Sequence, residues 1–381
     1  DVIISGMTTT PERKNEVDFR EPYMMTNNVM LVKKSDKNKY KDLKDFTGKK
    51  IAAQKGTDQE KIAHNEIKDS QVSSLNRLPE SILALKSGKV VGTIVEKPVG
   101  EAYLKQNPEL EFADVKFNEE KKPTCIAVPK NSPILLKHLN QTIDEVNNKN
   151  LIDKYMNQAA QDMQDDGNFF TKYGSFFIKG IKNTILISLV GVILGSILGD
   201  FIALMKINKF KPLSWLASIY IEFLRGTPML VQVFIVFFGT TAALGLDVSA
   251  LICGTIALII NSSAYIAEII RAGINAVDKG QMEATRSLGL NYIQTMKSVI
   301  MPQAIKNILP ALGNEFVTLI KESSIVSTIG VGEIMFNAQV VQGISFDPFT
   351  PLIVAAVLYF ILTFALSRIM SLVEGRMKAS D

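Results

Sequence analysis

The sequence predicts a multidomain chain, with a soluble α/β domain followed by an all-α membrane domain of five spans. Three observations carry this. Charge divides the chain: residues 1–175 hold 27 Lys and Arg and 26 Asp and Glu, whereas everything after them holds only 15 and 12. Apolar runs long enough to cross a bilayer are confined to the second part. The first part instead shows short apolar strands that turn into capped helices. A net charge of +4 and a pI near 8.8 are too mild for a nucleic-acid footprint, so nucleic acid is not expected as a partner. Cys125 and Cys253 fall on opposite sides of the division and form no CxxC pattern. They read as small packing residues rather than a disulfide or metal site.

The chain opens DVIISGM, with no initiator Met, basic n-region or short apolar signal core, and reads as a fragment or processed form. The same stretch alternates like a strand that needs partners, so part of the first lobe is expected upstream of residue 1. In SGMTTTPERK, Thr10 is expected to cap a helix that starts at Pro11, leaving Arg13 at the end of a short loop. An Arg so held can grip a carboxylate through two parallel hydrogen bonds. In AAQKGTDQEKIA, an apolar strand turns through Gly56 into a helix opening at Thr57 and Asp58, whose free N–H groups suit an anion. In GTIVEKPVG, Glu96 follows a short strand and can accept hydrogen bonds from an ammonium group. Each signal alone has a plainer reading, as solvated charges or a simple helix cap. QAAQDMQDDGNFFTKYG, acidic and then aromatic, reads as a tether. The division is therefore a soluble domain at 1–157, a linker at 158–175 and a membrane domain at 176–381.

Five spans are expected near 183–205, 228–244, 250–270, 303–320 and 348–367. The fourth is interrupted by Lys306, Pro310 and Glu315. With the soluble domain outside, the inner segments contain Lys206, Lys209, Lys211, Arg271, Lys279, Arg286, Lys297, Arg368, Arg376 and Lys378. The outer loop at 241–249 has no Lys or Arg, although Lys172, Lys179 and Lys182 would lie outside. The balance favours an external soluble domain and a cytoplasmic C-terminus. Asn261, Glu268, Asn314 and Glu315 lie in or beside spans, where polar groups are expensive unless they face a cavity or one another. They are candidates for a translocation path, with helix–helix hydrogen bonding as the equal alternative. Gly191, Gly195 and Gly199 form two GxxxG steps, read as a close helix contact.

MEATRSLGLNYIQTMKSVIMP, residues 282–302, places charge between two apolar regions and looks like two short helices broken at Gly289. A helix lying on lipid needs a wide apolar face rimmed by Lys and Arg. This segment mixes Glu283, Arg286, Asn291 and Gln294 around a Gly-Leu, which suits a protein partner. Its pattern, Glu283-Ala284-Thr285, three residues, Gly289, nine residues, Val299, one residue, Met301-Pro302, resembles the EAA loop of ABC-importer permeases. IEFLRGTPMLVQ at 221–232 and NSSAYIAEIIRAGI at 261–274 are similar to the polar amino-acid branch of that family.

The resemblance spans 176–376 and implies a type I importer transmembrane domain in a bacterial plasma membrane. It also implies a homodimer surrounded by lipid, and a separate cytoplasmic ATPase docked at Glu283, Ala284, Gly289 and Pro302. ATP and Mg would then sit on that partner, with no cofactor on this chain. Residues 1–157 resemble the amino-acid-binding type of periplasmic solute-binding protein, a two-lobed clamp. That implies an α-carboxylate held by Arg13 and the N–H groups near Thr8 and Thr57, and an α-ammonium held by the carbonyl of Gly6 and by Glu96, where the family more often has Asp. Crossings between lobes are expected near Val29–Val32 and Thr124–Val128. The whole then reads as receptor and permease of an importer for a polar amino acid such as glutamine, glutamate or an arginine-type one.

Absences fit a transporter rather than an enzyme. There is no GxxxxGK[ST] and no GxSxG, and His64 and His138 are the only histidines. The alternatives are an amino-acid-gated channel, which would need a filter such as TVGYG, and a signalling receptor. The latter would need a cytoplasmic output domain where only RIMSLVEGRMKASD follows the fifth span.

Overall fold

The computed structural model describes residues 2–4, 7–9, 11–19, 21–118, 121–164 and 168–378. The chain forms two compact units, Asp1–Asn168 with Val341–Thr350, and Phe169–Val340 with Pro351–Asp381. Thr10, the expected helix cap, and Gly6 lie outside the described residues.

The first unit begins with α1 (Pro11–Glu16), β1 (Val17–Phe19), β2 (Met24–Thr26) and β3 (Asn28–Lys33). It continues with β4 (Lys50–Gln54), α2 (Asp58–Glu66), β5 (Gln71–Leu75), α3 (Leu78–Lys86), β6 (Gly92–Glu96), α4 (Lys97–Gln106) and β7 (Leu110–Phe112). Then come β8 (Lys122–Thr124), β9 (Ala127–Pro129), α5 (Pro133–Asn148) and α6 (Leu151–Gln164). Its main sheet has the order β5-β4-β6-β3-β7. β4 runs parallel to β5 and β6, while β3 is antiparallel to β6 and β7. Side chains alternate between its faces, as the strand period of two requires. Met30, Val32, Ile51, Ala53 and Ile94 pack on one side with Ile62 and Ala63 of α2. Leu31, Ala52 and Val95 pack on the other with Ile82 and Leu85 of α3 and Tyr103 of α4. A strand covered on both faces has to be apolar throughout.

That requirement corrects the expected crossing at Val29–Val32. The apolar run is a strand of the sheet itself, bonded on both sides. The antiparallel pair β2–β8, with Met24 opposite Thr124, lies just outside the sheet and leads into it. Among the described residues at the start of the chain, Ile3 is bridged to Ala127 and Thr8 to Thr124. Cys125 is buried in this unit and Cys253 in the other, both as free thiols.

The second unit contains α7 (Phe169–Ile207), α8 (Lys211–Gly226), α9 (Met229–Leu244), α10 (Ala250–Asn275), α11 (Lys279–Ser287) and α12 (Tyr292–Thr295). After a π-turn at Met296–Ile300 come α13 (Met301–Glu322), a 3-10 turn at Ser323–Ile329, α14 (Ile334–Ser345), whose residues from Val341 on are grouped with the first unit, and α15 (Thr350–Lys378). Among the described residues, three helices are long and apolar enough to cross a membrane: Phe169–Ile207, Ala250–Asn275 and Thr350–Gly375. The number rises to five if each bent pair counts as one span. The expected second span is thus half of a pair, α8 followed by α9 at 107°. Alone, sixteen residues reach about 24 Å, short of a bilayer core near 30 Å. The expected fourth span is likewise the middle of Tyr292–Ile329, which bends by 49° into α14. Within the expected linker the chain is helical to Gln164 and again from Phe169, whose ring packs edge-to-face on Phe170 and tilted against Tyr173 and Phe177.

The core of this unit is the line where α7 meets α10. Gly191, Gly195 and Gly199 are all buried on that line. A Cβ on Gly195 would fall 2.1 Å from Ser262 Oγ, and one on Gly199 would lie 2.9 Å from Ile266 Cγ2 and 3.0 Å from the Ser263 carbonyl. At Gly191 the nearest atom would be 3.6 Å away, an ordinary contact. The GxxxG expectation is therefore met, but unequally along its length. Gly199→Leu should lower the thermal unfolding temperature in detergent and reduce the monodisperse fraction, by an amount equivalent to overpacking, about 1–3 kcal/mol. Gly191→Ala should be neutral or mildly stabilising. Equal losses in both variants would show that the crossing does not depend on close approach at Gly199.

Candidate functional site

A cavity of about 420 Å³ lies within the first unit. Four of the five residues expected to hold a solute, Thr8, Arg13, Thr57 and Glu96, line it, and Gly6 lies outside the described residues. The local structure explains how they converge. Thr8 is bridged to Thr124, which fixes its position beside β8. Arg13 is not at a loop end but in the first turn of α1, whose start at Pro11 is pre-set by the ring. Its guanidinium turns back so that Nη1 donates to the Thr8 carbonyl at 3.0 Å and to Thr8 Oγ1 at 3.4 Å.

β4 ends at Gln54, and the turn passes through Gly56 at φ +75°, a conformation that glycine adopts without strain. Thr57 then caps α2, accepting from Glu60 N–H while its hydroxyl donates to the Gln54 carbonyl at 2.6 Å. Glu60 returns the favour by accepting Gly56 N–H at 2.7 Å, and hydrogen bonds from Ser74 and from Gly56 hold its carboxyl below the usual range. Glu96 closes β6, and its charge, after burial, raises the pKa of Tyr23. The cavity thus offers a guanidinium and a helix start for an anion and a carboxylate for a cation.

Two charged lining residues were not anticipated as site residues. Asp58, read only as part of a helix start, accepts the Thr8 hydroxyl at 2.7 Å. Lys122 lines the cavity as well, with Nζ 3.7 Å from the same Asp58 oxygen. Nothing local marks Lys122 in the sequence, because it arrives through the pairing of β8 with β2 across nearly a hundred residues.

In the second unit, the elbow has the form expected of it. α11 ends where Gly289 takes φ +88°. α12 then opens with a capping box between Asn291 and Gln294. Thr285, at the inner face of α11, is buried and donates to the Gln281 carbonyl at 2.8 Å. Glu283, Ala284, Gly289 and Pro302 are all exposed, as are Leu288 at 79% and Ile293 at 74%.

Among the described residues, no hydrogen bond or ion pair joins the four polar residues proposed for a path to one another. Asn261 is buried and its amide donates to Gln232 Oε1 at 2.9 Å, while its own side-chain oxygen lacks a partner among the described residues. Glu268 is held by Lys206 of α7 and by Arg271, with Arg271 Nη2 at 2.8 Å, and so ties α7 to α10. Asn314 is exposed and Glu315 buried on neighbouring positions of α13. A cavity of about 740 Å³ behind the elbow, lined by Asp200, Ile274, Met282 and Met296 among others, includes none of the four. One further carboxylate escaped the sequence reading. Glu333 is fully buried, caps α14 by accepting Met335 and Phe336 N–H at 2.9 and 2.7 Å, and accepts the Tyr359 hydroxyl of α15.

Residues 174–379 match the family model described as binding-protein-dependent transport system inner membrane component. The chain belongs to that family. Residues 1–168 match the model for bacterial extracellular solute-binding proteins, family 3, so this transport permease carries a solute-binding domain in the same chain. Over 206 residues it is 43% identical to the arginine transport system permease protein ArtQ of Bacillus subtilis, covering 54% of this chain and 94% of that protein. It is 42% identical over 205 residues to the putative glutamine transport system permease protein GlnP of Rickettsia bellii, with the same coverage. A crystal structure of an amino acid ABC transporter with histidines aligns at a TM-score of 0.53 and 48% identity, over 55% of this chain and 99% of that one. The apolar helices therefore belong to a multi-pass membrane protein.

The ion pair at Glu268 gives a test of its structural role. Glu268→Ala leaves Lys206 and Arg271 facing each other without a counter-charge. It should cost about 1–3 kcal/mol of unfolding stability in detergent, whereas Lys206→Met with Glu268→Leu should recover most of it. Uptake lost in the double variant at full stability would instead make Glu268 part of the path.

Proposed function

We propose that this protein is the receptor and permease of an ATP-driven amino-acid importer. The observation that carries the reading is the convergence of Arg13, Thr8, Thr57 and Glu96 on one cavity, in a chain whose other half is a transport permease. An amino acid presents a carboxylate and an ammonium group on one carbon. A guanidinium with a helix start on one side and a carboxylate on the other match that pair. The names of the similar permeases support an arginine-type or glutamine-type ligand. The soluble domain faces outside, and the C-terminus and the elbow face the cytoplasm, in line with the basic inner segments.

A separate ATPase binds the elbow through Glu283, Ala284, Gly289 and Pro302, and holds the ATP and Mg. This chain binds no cofactor of its own. Two copies of the permease enclose the path in the bilayer, and Asn261, Asn314 and Glu315 supply polar groups to it. Tethering the receptor raises its effective concentration at the permease, so transfer does not wait on diffusion. ATP-driven closure of the partner moves the helices through the elbow, since a two-state transporter shifts only where an effector binds the states differently.

Arg13→Ala should abolish amino-acid binding in calorimetry on the folded full chain, with a loss of about 2–5 kcal/mol. Unchanged affinity removes Arg13 from the site. Gly289→Val, in a complex reconstituted in liposomes, should leave amino-acid binding intact while ATPase co-purification and uptake fall together. Gly289 sits at φ +88°, where a β-branched residue is strained. Normal uptake by that variant overturns the elbow as the coupling contact, and a native mass with a single copy of this chain overturns the dimer.

A further inference from the structure

Asp58 stands inside the solute cavity, yet it was assigned neither the carboxylate-holding nor the ammonium-holding role. Its Oδ2 accepts the Thr8 hydroxyl at 2.7 Å and lies 3.7 Å from Lys122 Nζ, and its side chain is only 15% exposed. It is also the first residue of α2, where the free N–H groups and the helix dipole favour a negative charge. Arg13 is one step further along the same chain of contacts, donating to Thr8. The Thr8 hydroxyl, beside the N–H groups assigned above to a ligand's α-carboxylate, thus already holds a carboxylate that belongs to the protein, and Arg13 reaches the same hydroxyl.

We propose that Asp58 is an internal competitor for the ligand's α-carboxylate, and that Lys122 takes up its charge when the ligand enters. The proposal rests on the amino-acid reading of the cavity. A hydroxyl has one proton to donate, so Thr8 serves Asp58 or the ligand but not both. Two carboxylates at one set of donors also repel, most strongly where little water intervenes. Capture of an amino acid therefore requires Asp58 to leave Thr8. Lys122, already within ion-pair distance, is a cation on the cavity wall besides Arg13 and can hold it in the displaced position. The cost of this exchange lowers affinity and favours release. A receptor joined to its own permease tolerates weak capture, because its effective concentration there is high without it.

The test is calorimetry of the detergent-purified full chain against the proteinogenic amino acids, followed by the tightest binder and its α-amide on variants whose thermal unfolding matches the parent. Asp58→Asn removes the charge and keeps an acceptor for Thr8, whereas Asp58→Ala removes both. Each should lower Kd, by roughly tenfold for Asp58→Ala, which is about 1.4 kcal/mol, and by less for Asp58→Asn. The α-amide, which brings no anion, should gain nothing from Asp58→Asn. Lys122→Ala should raise Kd in the parent and have little effect beside Asp58→Ala. Weaker binding in Asp58→Asn overturns the proposal and makes Asp58 a contact for a cationic ligand group. Unchanged affinity in both Asp58 variants overturns it too, as does an equal gain for the α-amide. These results leave the amino-acid reading standing, which fails separately if no amino acid binds the parent chain or if Arg13→Ala binds as the parent does.

Discussion

The close approach of α7 to α10 is the constraint on which the membrane unit depends. Apolar side chains gain nothing from meeting each other rather than lipid, so a contact in the bilayer rests on dispersion and short distances. The buried glycines of α7 let the backbones come near enough for Ser262 to donate to the Gly191 carbonyl at 3.3 Å. At one end of the same pair, Glu268 joins Lys206 and Arg271. Packing fixes the distance between the helices, and the ion pair fixes their register. α10 in turn packs against α8, α9 and α13, so the broken helices are arranged around it.

The two bent pairs show what a hydropathy reading misses. RGTP between α8 and α9 contains Pro228, which cannot donate a backbone hydrogen bond and turns the chain by 107°. Gln232 then covers exposed carbonyls of the break, donating to Leu224 and Thr227. At the second break Gly330 takes φ +89° and Glu333 caps the next helix. Buried irregular backbone survives only where its polar groups are satisfied, and Gln232, Asn183 and Asn337 supply that service here.

Much of the fold was legible in the sequence because its signals are local. The charge division, the glycine spacing, the Gly56 turn and the Gly289 break each depend on residues within a few positions of one another. Arg13, Thr57 and Glu96 were legible for the same reason, each sitting at the end of a strand or the start of a helix. Lys122 and the role of Asp58 were not, because they depend on β8 reaching β2 and on Thr8 reaching across to α2. The crossing expected near Val29–Val32 from the resemblance falls a few residues too late, because the pairing of β2 with β8 depends on residues about a hundred positions apart. Glu268 was read from its depth alone, and its partner Lys206 lies sixty-two residues away.

The two cysteines have a practical consequence. Cys125 is 2% exposed and Cys253 is 0% exposed, each inside a different unit. A maleimide must reach the sulfur to react, and burial denies it that access. A single cysteine placed at Leu288, on the exposed tip of the elbow, would then be the site that takes up a fluorophore or spin label in the otherwise native chain. Motion at that turn becomes observable without first stripping the protein of its own sulfur.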